Sequence, residues 1–383
     1  MLNDQTIEKL VGEIHASGAK AAFVISGAGA SAAQWLLSVP GASNTILEIV
    51  IPYGYRAMEN YLGWLPAKNV AQKTAECLAA AAYVRARDFS EAGEAVLGIS
   101  CTAGIITNRP KKGPHHAYVS IRSKEKTTIR YLQLKKGLRE RKGEEFIVSQ
   151  LILLALLEEL ELHPEFGLTL DADESLTVST ELSKQPLADL SSGKIKNVLC
   201  FSPEAMVAEV PFEGVLLSGA FNPIHDGHLL LAEAAQRKTG RRLAFECSID
   251  NVDKSTLNQK QVLERLSQTK FKGQRVIFTR APLFRDKALM FNNCTFVVGF
   301  DTANRLIDPK YYGADKKAML NALSEISNAG CQFLVAGRLV NGEFHTLMDL
   351  ALPKGFENLF EGLSEEEFRL DISSTELRKQ KTT

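Results

Sequence analysis

What most constrains the fold of this chain is an alternation that begins at Gly214. Gly214 to Ser218 (GVLLS) reads as a short buried strand, 227–238 as a helix, 242–249 as a strand and 258–269 as a helix. Strands follow at 274–280 and 295–299, then a helix at 315–328, a strand at 332–336 and a last helix from about 373. Crossovers of this kind build a parallel sheet with helices on both faces. Ligands of such sheets bind in the crevice at the carboxyl ends of the strands.

The first half alternates too. Ile7, Leu10, Val11 and Ile14 mark an amphipathic helix that Gly18 can end. Strands are expected at Lys20 to Ser26 and Thr45 to Ile51, an alanine-rich helix at Val70 to Arg87, and a strand at Glu94 to Ser100. A hairpin from Ala117 to Arg122 and Thr127 to Leu134 comes next, and a long helix from about Glu144 to Leu162 closes the domain. Residues 169–212 are rich in Ser, Asp, Glu and Lys, with few large apolar residues before Val198. They read as a linker or a small peripheral element. The expected organisation is therefore α/β throughout: one domain over 1–168 and a Rossmann-like parallel-sheet domain over 213–383. A length of 383 residues suits two domains.

Lysine plus arginine equal aspartate plus glutamate at 45 each, so no broad basic surface for nucleic acid is expected. No apolar run has the length of a membrane span; Ile147 to Leu162 is interrupted by Ser149, Gln150 and acidic residues and reads as a core helix. The N-terminal helix does not resemble a signal peptide. Six cysteines at 77, 101, 200, 247, 294 and 331 form no CxxC pair and read as reduced core thiols. These features suit a cytoplasmic protein with small-molecule partners and neither nucleic acid nor membrane. A homo-oligomer is compatible with them.

The strongest local signal is Gly219 to His228, GAFNPIHDGH, which follows a strand and opens a helix. Gly219 allows a turn and close approach of a phosphate to the backbone, with Ala220 and Phe221 beside it. Pro223 stiffens the loop. His225 and His228 stand three apart, so both rings face one side of the first helical turn, and Gly227 keeps the surface between them clear. Two imidazoles at a helix amino end can hold phosphate oxygens and a departing pyrophosphate. The alternative is a pair of capping or surface histidines, which would leave the glycines and FNP unaccounted for. A second signal is Ile372 to Arg378, ISSTELR: Ser373, Ser374 and Thr375 offer hydroxyls and amides at a helix start, with Arg378 about one turn on. Alone it reads as an N-cap; beside the first motif it reads as a phosphate cradle. Lys111, Lys112, His115 and His116 form a basic loop (KKGPHH), either solvated surface or an anion contact.

GAFNPIHDGH together with ISSTELR resembles the nicotinamide/nicotinate mononucleotide adenylyltransferase branch of the HxGH nucleotidylyltransferases, over roughly 213–383. The FNP of the first motif favours this branch over the cytidylyltransferases. Val297 to Arg305 (VVGFDTANR) resembles the family's GxD strand end and places Asp301 near the nucleotide. The resemblance implies a Rossmann-like domain, ATP with Mg²⁺, and a phosphorylated acceptor, nicotinamide or nicotinate mononucleotide, joined with release of pyrophosphate. No aromatic and proline-rich set matching the family's pyridine-ring elements stands out. Asn251 to Lys254 (NVDK) stands where a substrate loop is expected, which marks Lys254 as a substrate contact.

The first half, through Ser26 to Ser31, VPGAS (39–43), IPY (51–53) and GISCTAG (98–104), resembles the CinA C-terminal domain, some members of which hydrolyse the amide of nicotinamide mononucleotide. The resemblance places Ser26 on the nucleophile position and Ser43 and Tyr53 on two further site positions. Gly27-Ala28 replace the family's Cys-Thr, Met58 stands where a lysine is expected, and Ile105-Ile106 replace Pro-Gly. Other readings stay open at this point: a CTP-dependent cytidylyltransferase, a bifunctional deamidase/adenylyltransferase, and a nucleotide sensor without catalysis.

Overall fold

Each half of the chain is organised by its own sheet. The computed structural model describes residues 3–109, 111–164, 166–250, 255–340 and 343–369. Its contacts divide the chain into two units, Met1–Gln185 with Glu204–Val207, and Pro186–Pro203 with Ala208–Thr383.

In the N-terminal unit, α1 (Asp4–Ala16) starts at Asn3, whose side chain accepts the Thr6 amide at 2.9 Å, and buries Ile7, Leu10, Val11 and Ile14. The strands are β1 (Lys20–Ser26), β2 (Ile46–Val50), β3 (Val96–Gly104), β4 (His115–Arg122), β5 (Lys126–Leu134) and β6 (Ser175–Leu182), in the sheet order β2-β1-β3-β4-β5-β6. β1 is parallel to β2 and β3, and the rest of the ladder is antiparallel. The helices are α2 (Ala30–Ser38), α3 (Tyr55–Leu62), α4 (Gln72–Phe89) and α5 (Arg141–Glu159). α4 lies directly on β3: a Cβ at Gly98 would stand 2.2 Å from Ala79 O and from Tyr83 N, so glycine alone allows the approach. α5 buries an almost continuous run from Ile147 to Leu157.

From Gln185 onward, α6 (Gln185–Ser192), β7 (Asn197–Ser202) and β8 (Ala205–Ala208) precede β9 (Val215–Ser218), α7 (Asp226–Thr239), β10 (Leu243–Ser248), α8 (Gln259–Leu266) and β11 (Val276–Thr279). Then come α9 (Phe284–Met290), β12 (Thr295–Gly299), α10 (Phe300–Leu306), α11 (Lys316–Asn328), β13 (Gln332–Ala336), the β14–β15 hairpin (Arg338–Val340, Glu343–His345) and β16 (Phe360–Gly362). The sheet runs β16-β13-β12-β9-β10-β11-β7-β8. Pairings among β16, β13, β12, β9, β10 and β11 are parallel, and β7 joins β11 antiparallel.

The chain moves one way along this sheet from β9 to β11, then jumps back to β12 and continues outward. With right-handed crossovers, α7 and α8 cover one face and α9, α10 and α11 the other. The order therefore reverses between β9 and β12, which is the switch-point crevice of a doubly wound sheet.

Residues 169–212, expected as a linker or a small peripheral element, contribute strands to both sheets. Ser175–Leu182 forms the sixth strand of the first sheet and Asn197–Ser202 an antiparallel strand of the second. The reason is geometric: an edge strand such as β6 is exposed along most of its length and needs no apolar run. β3 also extends four residues past its expected end, to Gly104, and α9 and α10 are short helices that periodicity did not reveal. All six cysteines are buried thiols without disulfides. No helix among the described residues is long and apolar enough to cross a membrane.

Candidate active site

The GAFNPIHDGH segment leaves the carboxyl end of β9 and enters α7, on the β9 side of the switch point. Val297 pairs with Leu217, so Gly299 and Asp301 leave β12 alongside it. The hydroxyls of Ser218 and Ser248, at the ends of β9 and β10, are buried and have no hydrogen-bond partner among the described residues. Unsatisfied polar atoms at this position are what a polar ligand would satisfy.

His225 is the N-cap of α7 and His228 its third residue. The His225 amide donates to His228 Nδ1 at 3.2 Å. An Nδ1 that accepts leaves the ring proton on Nε2, so His228 presents an N–H donor. Burial, and then the neighbouring His225, push the His228 pKa down to about 4. Burial also lowers His225, against the opposing pull of Asp226. The two rings stack with centroids 3.7 Å apart. At neutral pH this is an uncharged pair of imidazoles at the positive end of a helix.

Phe221 anchors the loop from below. It is buried with a backbone φ of 43°, and its ring meets His228, Phe245 and Phe271 edge-on at 5.1, 5.3 and 5.7 Å. Gly219 has a reason other than the turn expected of it: its φ is not positive, and a Cβ there would stand 2.8 Å from the Phe221 ring. Gly227 is buried in the first turn of α7.

Three residues that the motif does not include hold it in place. Gln268 accepts the Ile224 amide at 2.9 Å and donates from Nε2 to Phe221 O at 2.9 Å and Arg265 O at 3.0 Å. Arg265 Nε donates to Ala220 O at 3.2 Å. Lys270 pairs with Asp226. A run of polar residues after a helix gave no sign of this in the sequence.

Asp301 is half-exposed and paired with Arg338, while the neighbouring Phe300 ring stacks on His345 at 5.2 Å. A cavity of about 580 Å³ lies among α9, α10 and α11. It is lined by Pro282, Phe284, Tyr311 and Tyr312 together with Arg285 and Arg305. These aromatic and proline residues are spread over thirty-one positions, so they did not stand out as a set. Lys254, Ser373, Ser374, Thr375 and Arg378 lie outside the described residues.

In the N-terminal unit, Ser26 ends β1 and donates its hydroxyl to Pro52 O at 3.2 Å. Tyr53 is next in the chain and largely exposed. Ser43 is exposed beside the amino end of β2, which pairs with Ala21, so it lies at the other end of the sheet from Ser26 by about five residues, or roughly 16 Å. Met58 is buried. Two glutamates on α5 hold the strand-end loops instead: Glu145 accepts the amides of Gly29 (3.0 Å) and Ser31 (3.2 Å), and Glu144 holds the Ile106 amide and His115 Nδ1, each at 2.7 Å.

Among solved structures, the chain is similar to the competence/damage inducible protein CihA of Agrobacterium tumefaciens, at 19% identity over 42% of this chain and 98% of that one, with a TM-score of 0.33. A CinA superfamily protein of Klebsiella pneumoniae (14% identity, 42% and 99% covered, TM-score 0.32) and one of Escherichia coli (15%, 43% and 94%, TM-score 0.30) are also similar. No curated protein matches the sequence. The Cytidylyltransferase-like family model matches residues 216–380, and with the parallel sheet and its histidine-bearing strand end this identifies the C-terminal unit as a nucleotidylyltransferase-like domain.

Proposed function

We propose that the C-terminal unit transfers an adenylyl group from ATP to a phosphorylated acceptor, nicotinamide or nicotinate mononucleotide, with release of pyrophosphate. The observation that carries this reading is the neutral, stacked His225–His228 pair at the amino end of α7. In the proposed step, an acceptor phosphate oxygen attacks the α-phosphorus, the bond to the bridging oxygen breaks, and pyrophosphate leaves with the electron pair. His228 Nε2–H donates to the charge that builds on the phosphate oxygens, and the α7 amino end adds its dipole. Ser373, Ser374, Thr375 and Arg378 are assigned to the β and γ phosphates on their sequence pattern.

Mg²⁺ would enter with ATP and neutralise the triphosphate when bound. The residues fit an ion held chiefly by phosphate oxygens and water: the carboxylate that β12 brings to the crevice, Asp301, is already paired with Arg338. The cavity of about 580 Å³ with Phe284, Tyr311 and Tyr312 in its lining is the proposed place for the acceptor ring.

FNP in the first motif and ISST in the second favour ATP. CTP remains the rival because the matching family is described as cytidylyltransferase-like. A pyrophosphate-release screen of ATP, CTP, GTP and UTP against phosphorylated acceptors decides between them. Turnover with ATP and a pyridine mononucleotide supports the proposal; turnover confined to CTP, or to other acceptors, overturns it.

For the N-terminal unit we infer at most a weak amidase. Ser26 is bonded to a carbonyl, not to a base, and the buried Met58 thioether can take no proton. Ammonia release from nicotinamide mononucleotide by the full chain at roughly one per second or more, abolished by Ser26→Ala, would instead establish a bifunctional enzyme.

A further inference from the structure

The carboxyl end of the C-terminal sheet has two faces, and the histidine loop uses one of them. Phe245 and Cys247 of β10 point to the side of that loop: the Phe245 ring meets Phe221 and Phe271, and Cys247 Sγ lies 3.9 Å from Ala220 O. Alternate residues of a strand take opposite faces, so Glu246 and Ser248 point the other way. Glu246 stands in register with Ser218 of β9, and Ser248 with Thr279 of β11, which brings those side chains onto the same face. The contacts agree. Thr279 donates its hydroxyl to one Glu246 oxygen at 2.6 Å, and Lys287 of α9 pairs with the other.

This face therefore gathers Ser218, Glu246, Ser248, Thr279 and Lys287 into one polar niche. Glu246 is fully buried and Lys287 is 5% exposed. Charges so deep persist only as a pair, and the pair is neutral as a whole. It leaves donors over. The Lys287 ammonium has three N–H groups, and among the described residues Glu246 is its one hydrogen-bond acceptor. The buried hydroxyls of Ser218 and Ser248 have no partner there. The niche adjoins the cavity among α9, α10 and α11. Thr279 accepts the Ala281 amide at 3.3 Å, Pro282 and Phe284 follow in the cavity wall, and Lys287 Nζ lies 5.0 Å from the Phe284 ring centroid.

We infer that this niche selects the acceptor by the polar group on its ring, taking a neutral carboxamide over a carboxylate, a selection that rests on the pyridine mononucleotide acceptor proposed above. A carboxamide brings a carbonyl for Lys287 or a serine hydroxyl and an NH₂ for a serine oxygen, and it leaves the niche uncharged. A carboxylate adds a second buried negative charge near Glu246, with one ammonium to answer both. The arginines of the cavity wall do not reverse this. Arg285 is paired with Glu325, and Arg305 is exposed, so solvent and salt screen it, whereas Glu246 is out of their reach. Nicotinamide mononucleotide is therefore the preferred acceptor of the two, with Ser218, Ser248 and Lys287 reading its amide and Glu246 setting the charge.

Calorimetric titration of the full chain with nicotinamide mononucleotide and with nicotinate mononucleotide reads the niche, and pyrophosphate release with ATP reads the transfer step separately. Ser26→Ala is carried throughout, so that no amide is hydrolysed during the titration. This parent chain should bind the nicotinamide form more tightly by about tenfold or more, one decade in Kd. Glu246→Gln removes the competing charge and leaves Lys287 uncompensated, so the preference should move toward the nicotinate form by about tenfold or more. Ser248→Ala keeps the ion pair and should weaken the nicotinamide form with little effect on the nicotinate form, which keeps the niche testable should Glu246→Gln misfold. Equal binding of the two forms by the parent chain, tighter binding of the nicotinate form, or binding of neither in the millimolar range would overturn the niche. So would a folded Glu246→Gln or Ser248→Ala protein with the parent's preference unchanged. The expected preference without pyrophosphate release would uphold the niche and overturn the transfer reading instead.

Discussion

His225 and His228 stack at 3.7 Å between ring centroids, and the backbone N–H of the first donates to Nδ1 of the second. Two stacked rings at a helix amino end cannot both carry charge, and the one with its Nδ1 already occupied loses the proton first. In an NMR titration His228 should therefore change protonation near pH 4, well below the ordinary histidine value. The sign for stability follows. The unfolded chain takes up this proton near pH 6.5 and the folded chain only near pH 4, so stability is full above the first value and falls as pH drops through the second. His228→Gln should flatten that acid slope. A His228 midpoint near the ordinary value would contradict the geometry.

Gln268 holds the loop that leads into the histidine pair. Its amide spans the FNPI segment, accepting from Ile224 and donating to Phe221 O. Gln268→Ala removes both contacts and should lower kcat by about one order of magnitude, the scale of one or two hydrogen bonds, with the KM for ATP changed less. Gln268→Glu keeps the acceptor for Ile224 and should fall between the two. A change in thermal stability with kcat intact would make Gln268 merely structural.

Gly219 and Phe221 form a steric pair. Gly219→Ala would drive a methyl into the Phe221 ring at 2.8 Å, and such overpacking costs about 1–3 kcal/mol. Phe221→Ala empties the space between His228, Phe245 and Phe271 and should cost about 3–5 kcal/mol. In denaturant unfolding, Gly219→Ala placed on Phe221→Ala should cost far less than on wild type. Additive losses would show that the two residues do not meet.

The alternating pattern made the parallel sheet of the C-terminal unit readable in advance, and β12 and β13 fall on their expected residues because both are short, apolar and bounded by polar turns. The histidine pair was readable because it is contiguous. β6 was not, since an edge strand carries no apolar stripe, and Gln268, Arg265 and the Glu144–Glu145 pair were not, because they act through hydrogen bonds to distant backbone. The cavity lined by Phe284 and Tyr311 depends on three helices meeting, which no local pattern records.

The proposed support of the transition state by His228 is read from pyrophosphate release by His228→Ala with ATP and nicotinamide mononucleotide. Turnover should fall by about two to three orders of magnitude, the scale of losing one preorganised donor, while the affinity for ATP changes much less. A correctly folded His228→Ala protein that releases pyrophosphate at close to the wild-type rate would contradict it.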